Sequence, residues 1–351
     1  MKYFVVLALA VCLAGAEDVT PRVGSIEIYG ARKVSIQKIR SAVGAKIGDP
    51  LPSREDMEDR IDKIPGVLAS RVEATCCADH RSILYVGVEE KDAPHFEFHP
   101  APVGDVTLPV ELTGNFHTFL NAVSDSMHAN NADEDLTNGY SLMADTECRE
   151  LQQAFIPFVA RDLALIDRVL RESSDTEQRT MAAYLLQYAP RTPRGSKTMI
   201  DALQYAMQDR EDSVRLNAMR SLEAIAVGAK LHPEQRIHIE LTWFVELLNS
   251  VVWSDRHNAA LALVDLTDKR DPETLGLLRE RALPSVIEMA RWHKLEDALP
   301  AFVLAGRLAG AEETDIHDAW ISGDREPLLR EATHPGKKHR KPEARASASA
   351  R

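Results

Sequence analysis

Cysteine is scarce in this sequence. Only four of the 351 residues are cysteine, and one of them, Cys12, lies in an apolar N-terminal stretch. The other three are Cys76, Cys77 and Cys148, an odd number, so at least one thiol is free or bonded to another chain. A bridge from Cys148 to one of the adjacent pair is one option, because neighbouring cysteines would close a strained ring. So few cysteines exclude a disulfide-stapled scaffold.

Motifs of the common catalytic and cofactor sites are also missing. The sequence holds no H-E-x-x-H, C-x-x-C or G-x-S-x-G pattern, no P-loop and no dinucleotide fingerprint. His232 and His238 are six residues apart, which is a poor spacing for one metal ion. Cys76, Cys77 and His80 would make only a partial tetrahedral zinc site. We therefore predict a non-enzymatic protein with no catalytic residues, no metal and no cofactor.

Long apolar runs are absent after residue 16. Phe4–Leu13 is an apolar stretch of ten residues, too short to span a bilayer, and Ala14-Gly15-Ala16 follows it, before Glu17 and Asp18. This pattern predicts a signal peptide over residues 1–16, cleaved after Ala16. We expect a periplasmic or secreted protein with no integral membrane segment after cleavage.

Charge is unevenly distributed along the chain. The formal net charge is −12, but the tail His334–Arg351 carries +5, which leaves −18 on residues 17–333 once Lys2 is set aside. An acidic body argues against nucleic-acid binding, which uses lysine and arginine to displace counterions. The tail has no core-forming pattern, so we predict a basic disordered tail over residues 334–351.

Strand and helix signals alternate over residues 21–92. A serine precedes each predicted helix as a plausible N-cap, and the second helix opens with a capping-box pattern at Ser53 and Asp56. The predicted elements are strand Ser25–Tyr29, helices Ile36–Val43 and 53–64, and strands Val67–Thr75 and Ser82–Glu89. The order β-α-α-β-β predicts an open sheet with two helices on one face.

Particular residues in this stretch resemble the POTRA (polypeptide-transport-associated) domain. They are Ile26-x-Ile28-x-Gly30, then Gly48 and Leu51, then Val67 and Val72, then Ile83–Val88 closed by Glu89. The resemblance covers Pro21–Lys91, about a fifth of the chain. It implies a POTRA-like α+β domain over residues 21–92 that pairs an exposed strand edge with an extended peptide. Better-known members carry an outer-membrane barrel or a membrane anchor; without either, the resemblance implies an adaptor or assembly factor.

Prolines mark the next stretch. Pro94, Pro100, Pro102 and Pro109 lie close together, and no regular pattern accompanies them. This composition predicts a linker over residues 93–115 with a domain boundary near Pro100, open to proteases.

One helical pattern then occurs three times. Arginine, alanine, leucine and a second apolar residue fall at i, i+3, i+7 and i+10, with offsets of 36 and 41 residues between copies. The copies are Arg179, Ala182, Leu186 and Ala189; Arg215, Ala218, Leu222 and Ile225; and Arg256, Ala259, Leu263 and Leu266. Periods near 40 residues are typical of stacked helical pairs. The pattern resembles HEAT repeats and implies an all-α HEAT-like solenoid over residues 116–333.

These patterns together favour an exported bacterial scaffold. We expect it to bind proteins of the cell envelope through a sheet edge and a helical-repeat groove. The candidate edge is Val67–Thr75, with Arg71, Val72 and Glu73 as partner-binding residues, because Arg71 and Glu73 place charge on one face. The same charges could serve only to prevent aggregation of an open edge.

Two alternatives from other classes stay open at this stage. One is a hydrolase or transferase built on the helical domain, which would require a pocket with paired titratable groups. The other is a thiol-based metal-binding or regulatory protein that uses the cysteines. The sequence does not name a partner.

Overall fold

The structure is a computed structural model that describes residues 21–78, 81–93 and 96–334. The predicted signal peptide, residues His80 and Pro94, and the tail beyond His334 lie outside the described residues. The chain forms two compact units that divide after Lys269. The composition instead predicted a boundary near Pro100.

The N-terminal part has the element order that the sequence pattern predicts. The elements are β1 (Val23–Tyr29), α1 (Ile36–Val43), α2 (Arg54–Asp62), β2 (Val67–Ala78) and β3 (Arg81–Glu90). The sheet order is β1-β3-β2, with β3 parallel to β1 and antiparallel to β2. β1 and β2 are therefore the two edge strands.

One face of this sheet packs on α1 and α2. Ile39 and Val43 of α1 and Met57 and Ile61 of α2 are buried in a core that includes alternate residues of β2 and β3. Glu90 secures the loop before α1, because its Oε1 atom accepts backbone N–H bonds of 2.7, 2.7 and 2.8 Å from residues 32–34. Glu90 at the end of β3 is thus a structural anchor.

The central strand β3 is buried on both faces. Leu84, Val86 and Val88 point into the helix-facing core, while Ile83 and Tyr85 are buried on the opposite face. A near-continuous apolar run is typical of strands covered on both sides. The second face must therefore be covered by another part of the chain.

Helices make up the rest of the first unit. They are α3 (Val110–His128), α4 (Thr146–Glu172), α5 (Thr176–Leu185), α6 (Pro193–Ala206), α7 (Asp212–Leu231), α8 (Thr242–Leu247) and α9 (Trp253–Leu266). α3 begins at Val110, inside the predicted linker. α4 consists of two helical segments joined at a kink at Asp162. α8 is a short helix of six residues.

A short hairpin interrupts the helices, although the sequence predicted no strand after Phe116. β4 (Glu134–Asp135) pairs with the antiparallel strand β5 (Leu142–Met143). Glu134 forms an ion pair with Arg220 of α7, with Oε1 and Nη2 2.9 Å apart. The hairpin is therefore tied to one of the repeat helices.

The described part of the second unit, residues 270–334, contains four helices. They are α10 (Pro272–Met289), α11 (Leu295–Ala309), α12 (Glu313–Ser322) and α13 (Glu326–Thr333). α10 continues through Pro284, although an interior proline removes a helical N–H. Among the described residues, no helix is long and apolar enough to cross a bilayer.

The repeated pattern on α5, α7 and α9 faces the core as predicted. Its alanines and leucines are fully buried in all three copies: Ala182, Ala218 and Ala259, and Leu186, Leu222 and Leu263. Small alanines let neighbouring helices approach closely, and the leucines fill the space behind them. These helices form successive repeats.

Leu222→Asp should therefore unfold the first unit. Leu222 is 0% exposed, whereas Leu231 at the end of the same helix is 55% exposed. An unpaired buried carboxylate should lower the free energy of unfolding by at least about 4 kcal/mol. Urea unfolding measures the change, with Leu231→Asp as the control that should stay close to wild type. Equal stability of the two variants would contradict the core assignment.

Candidate binding surface along the repeat turns

The same turn precedes each of the three repeat helices. Its first residue is Ser173, Asp209 or Ser250. The side-chain oxygen of that residue accepts the N–H of the residue two positions later, at 3.3, 2.9 and 3.1 Å respectively. The turn is therefore fixed by its own sequence, in three copies.

A buried arginine closes each turn. Arg179, Arg215 and Arg256 are 3%, 1% and 2% exposed. Their guanidinium groups donate to the carbonyl oxygens of the first turn residues at 2.9, 2.7 and 2.5 Å. Each arginine thus joins the start of one helix to the end of the preceding one, where carbonyl groups lack helical partners.

Carboxylates compensate two of the buried cations. Arg179 donates two bonds to Asp209, at 2.8 and 3.1 Å. Arg215 donates to both oxygens of Asp255, which also accepts the Ser250 hydroxyl at 2.7 Å. Buried guanidinium groups need such bidentate partners to offset their lost hydration.

Residues 96–109, the strap, lie along this row of turns. The strap is the described part of the predicted linker up to the start of α3. His99 N–H donates to Gln208 O at 2.8 Å, and Gly104 N–H donates to Glu172 O at 2.9 Å. In return, Gly104 O accepts Ser174 N–H at 2.7 Å. The predicted linker is therefore held by main-chain bonds to two successive turns.

Side chains of the strap alternate between the helices and solvent. From Pro102 to Leu108, the even-numbered residues face the helices, while Val103 and the other odd-numbered residues are exposed. The Phe98 ring lies 4.6 Å from the guanidinium carbon of Arg215. A side chain at Gly104 would meet Glu172 O at 2.6 Å, so only glycine permits this approach.

The second face of the sheet packs against the third turn, which begins at Ser250. The Tyr29 hydroxyl donates to Val251 O at 2.9 Å, and its ring lies 4.5 Å from the guanidinium carbon of Arg256. The Tyr85 ring stacks on Trp253 with centroids 4.7 Å apart. Sheet and strap therefore cover one continuous row, and each places an aromatic ring on a repeat arginine.

Glu73 of β2 caps helix α9. Its carboxylate accepts the N–H groups of Trp253 at 2.6 Å and Ser254 at 3.3 Å. The residue at the N-cap position of α9 is Val252, whose side chain makes no capping bond. A carboxylate from the sheet supplies the acceptor that valine lacks, at the end of the helix that favours negative charge.

The three predicted partner-binding residues have different environments in the structure. β2 is an edge strand, as predicted. Val72 is buried in the helix-facing core, and its N–H donates to the Glu58 carboxylate of α2 at 2.8 Å. Glu73 is engaged by α9. Arg71 is exposed and lies 3.7 Å from Glu58 in a loose ion pair. The edge is therefore closed at Val72, and Arg71 alone of the three is open to solvent.

The cysteines do not form the bridge considered from the sequence. Cys148 is a free thiol buried in α4, so it is not bonded to Cys76 or Cys77. Burial raises the pKa of the Cys148 thiol to about 12, which disfavours the thiolate that a metal ion needs. The side chain of Cys77 lies outside the described residues, and within those residues no group of three or more metal-ligating side chains could hold an ion.

The sequence did not indicate which residues of the sheet pack against the repeat helices. Tyr29, Tyr85 and Gly87 face the helices, yet a short strand pattern does not say what covers its second face. The only available signal was the unbroken apolar run of β3. The strap was missed because four prolines indicate irregular structure without indicating whether it packs.

Comparisons with known proteins place the chain in no family. No family model matches it, and no curated protein matches it. A designed armadillo repeat protein is similar at 15% identity over 55% of this chain and 89% of that one, with a TM-score of 0.34. A second designed armadillo repeat protein, in complex with the peptide (KR)4, is 13% identical over 55% of this chain and 87% of that one, with a TM-score of 0.34. An engineered protein is 16% identical over 54% of this chain and 93% of that one, also with a TM-score of 0.34.

Gly87→Ala should weaken the docking of the sheet. A β-carbon at Gly87 would overlap the Val251 carbonyl oxygen, whereas one at Gly114 in α3 would meet nothing within 4 Å. We expect a loss of about 1–3 kcal/mol in the free energy of unfolding for Gly87→Ala. Gly114→Ala, the control, should be neutral or stabilising by up to about 1 kcal/mol. Equal urea midpoints would show that residues 87 and 251 do not touch.

Glu73 should make stability depend on pH. Burial raises the pKa of Glu73 from 4.5 to about 7, although the N–H donors of Trp253 and Ser254 lower it. The folded state then holds the proton more tightly than the unfolded chain does. The stabilisation from this proton is complete below pH 4.5 and is lost as the pH rises through about 7.

Glu73→Gln provides the comparison, because the amide keeps an acceptor oxygen and does not titrate. The stability of wild type relative to this variant should fall between about pH 4.5 and pH 8, by at most about 3 kcal/mol. Burial also raises the pKa of Glu223 to about 7, but that residue is present in both proteins and its effect cancels. A difference that is constant or rises with pH would refute the assignment.

Proposed function

We propose that this protein is a non-enzymatic scaffold, exported by its N-terminal signal, that binds proteins of the bacterial cell envelope. The observation that carries the proposal is the Val72 N–H on edge strand β2. It points away from β3 and is bonded by a side chain, Glu58, rather than by another strand. A carbonyl group of an added partner strand would take the place of that carboxylate.

The N-terminal part is the POTRA-like element of this proposal. Its support is the β-α-α-β-β order, the central β3 and the packing of both helices on one sheet face. The repeats hold this sheet in place through α9, which would present edge β2 in a constant orientation. Export and an envelope partner rest on residues 1–16 alone.

The helical repeats supply a second argument for binding extended polypeptide. The strap is a length of extended chain already held along the repeat turns by main-chain bonds. Repeat helices can therefore recognise backbone groups without regard to most side chains. We propose that this property suits the protein to scaffolding rather than to chemistry on a small substrate.

A photo-crosslinking residue placed at Arg71 tests the proposal. The labelled protein is irradiated in an envelope fraction, and crosslinked products are compared with those from the same label at exposed Lys197. Glu58→Ala should raise the yield at position 71 severalfold, because it frees the Val72 N–H. Besides that hydrogen bond, the variant removes the ion pairs of Glu58 with Arg54 and Arg71, which are worth about 1 kcal/mol or less each.

Asp59→Ala is the matched control on the same helix, since Asp59 is exposed and should leave the yield unchanged. Thermal unfolding confirms that both variants stay folded. Edge binding is refuted if no specific product forms at position 71, or if Glu58→Ala and Asp59→Ala give equal yields.

A further inference from the structure

An open groove lies between α1 and α2. Its volume is about 550 Å³, and its lining includes Lys38, Arg60 and Lys63 together with Ser35 and Ser41. Three cations thus share one groove with two hydroxyl groups. The groove lies on the side of α2 that faces α1, away from Glu58 and the β2 edge.

Within the described residues, Lys38, Arg60 and Lys63 form no ion pair. Arg60 is held in place by main-chain bonds instead: its Nε donates to Ala42 O at 2.6 Å and its Nη2 to Val43 O at 2.7 Å. A guanidinium positioned in advance loses little entropy when it binds an anion.

Neighbouring residues of the sequence add to the positive charge around the groove. Residues 31–46 contain five lysine and arginine residues and no acid, in a chain whose net charge is −12. Two acids of α2 are bonded on its sheet side: Asp62 accepts the Ser70 hydroxyl at 2.7 Å, and Glu58 accepts the N–H of Val72. The groove is therefore a local basic region that attracts negative charge.

The groove also has an apolar margin. Ile64 and Pro65 at the end of α2 line one side of it. A ligand that matches both features has carboxylates beside an apolar side chain. An acidic polypeptide segment has this chemistry, whereas a simple inorganic anion does not.

We propose that the α1–α2 groove binds an acidic segment of a partner protein. Its carboxylates pair with Lys38, Lys63 and the free side of the Arg60 guanidinium, and an apolar side chain packs on Ile64 and Pro65. This site goes beyond the β2 edge proposed above and stands independently of it.

The test uses the full chain and a fluorescein-labelled dodecapeptide of repeated Glu-Glu-Leu. Fluorescence anisotropy should detect binding that weakens as salt is added. Lys38→Glu combined with Lys63→Glu should weaken binding about tenfold or more, since it replaces attraction with repulsion. A matched peptide with Gln in place of Glu should bind at least about tenfold more weakly to wild type.

The control protein carries Lys197→Glu and Lys269→Glu, which change the net charge equally at exposed positions on the repeats. It should bind the Glu peptide as wild type does. Equal loss in the control would show a non-specific charge effect, and equal binding of the Gln peptide would exclude carboxylate recognition. Either result overturns the proposal.

A last measurement tests binding of the protein to vesicles containing phosphatidylglycerol. If they bind wild type through Lys38 and Lys63 while the Glu peptide does not bind, the groove is a lipid-binding surface and the proposal is wrong. Glu58→Ala should leave peptide affinity unchanged, because it acts on the other side of α2. This result separates failure of the groove from failure of the β2 edge.

Discussion

Three buried guanidinium groups hold the first unit together. A guanidinium has five N–H donors, and burial makes each unbonded donor costly. Arg179, Arg215 and Arg256 meet this demand by donating to carbonyl oxygens at the end of the preceding helix. Removing the carboxylate of Asp209 or Asp255 would leave the guanidinium paired with it as an uncompensated buried charge, at a cost on the order of 3–5 kcal/mol. The spacing of the repeats is therefore set by electrostatics as much as by apolar packing.

The N-terminal sheet and the repeats depend on each other. The ring of Tyr29 in the sheet lies on Arg256, and the ring of Phe98 in the strap lies on Arg215. Sheet and strap therefore both contribute to the stability of the repeats. In the other direction, α9 lacks a capping side chain of its own and takes one from Glu73. Sheet, strap and helices thus form one cooperative body, and the division of the chain falls after Lys269.

Local periodicity predicted much of this fold, and long-range packing accounts for what it missed. The order of strands and helices and the inner face of the repeats follow from spacing in short windows, as Leu222 shows. Glu73 was assigned to solvent because a charge in a strand usually faces water, whereas here it faces a helix N-terminus. Pro284 lies inside the continuous helix α10, where neighbouring packing outweighs one lost hydrogen bond. The basic groove has no motif; it arises only when α1 and α2 lie side by side.

The docking of β1 on the third turn has a consequence for how the chain acquires its structure. The Tyr29 hydroxyl and its acceptor at Val251 are 222 residues apart. A growing chain makes the sheet first, and the apolar face that carries Ile83 and Tyr85 then has nothing to cover it until α9 has been made. Contacts this distant in sequence form slowly. During that interval the exposed strand face is a site for aggregation, and a holding chaperone would find its target there.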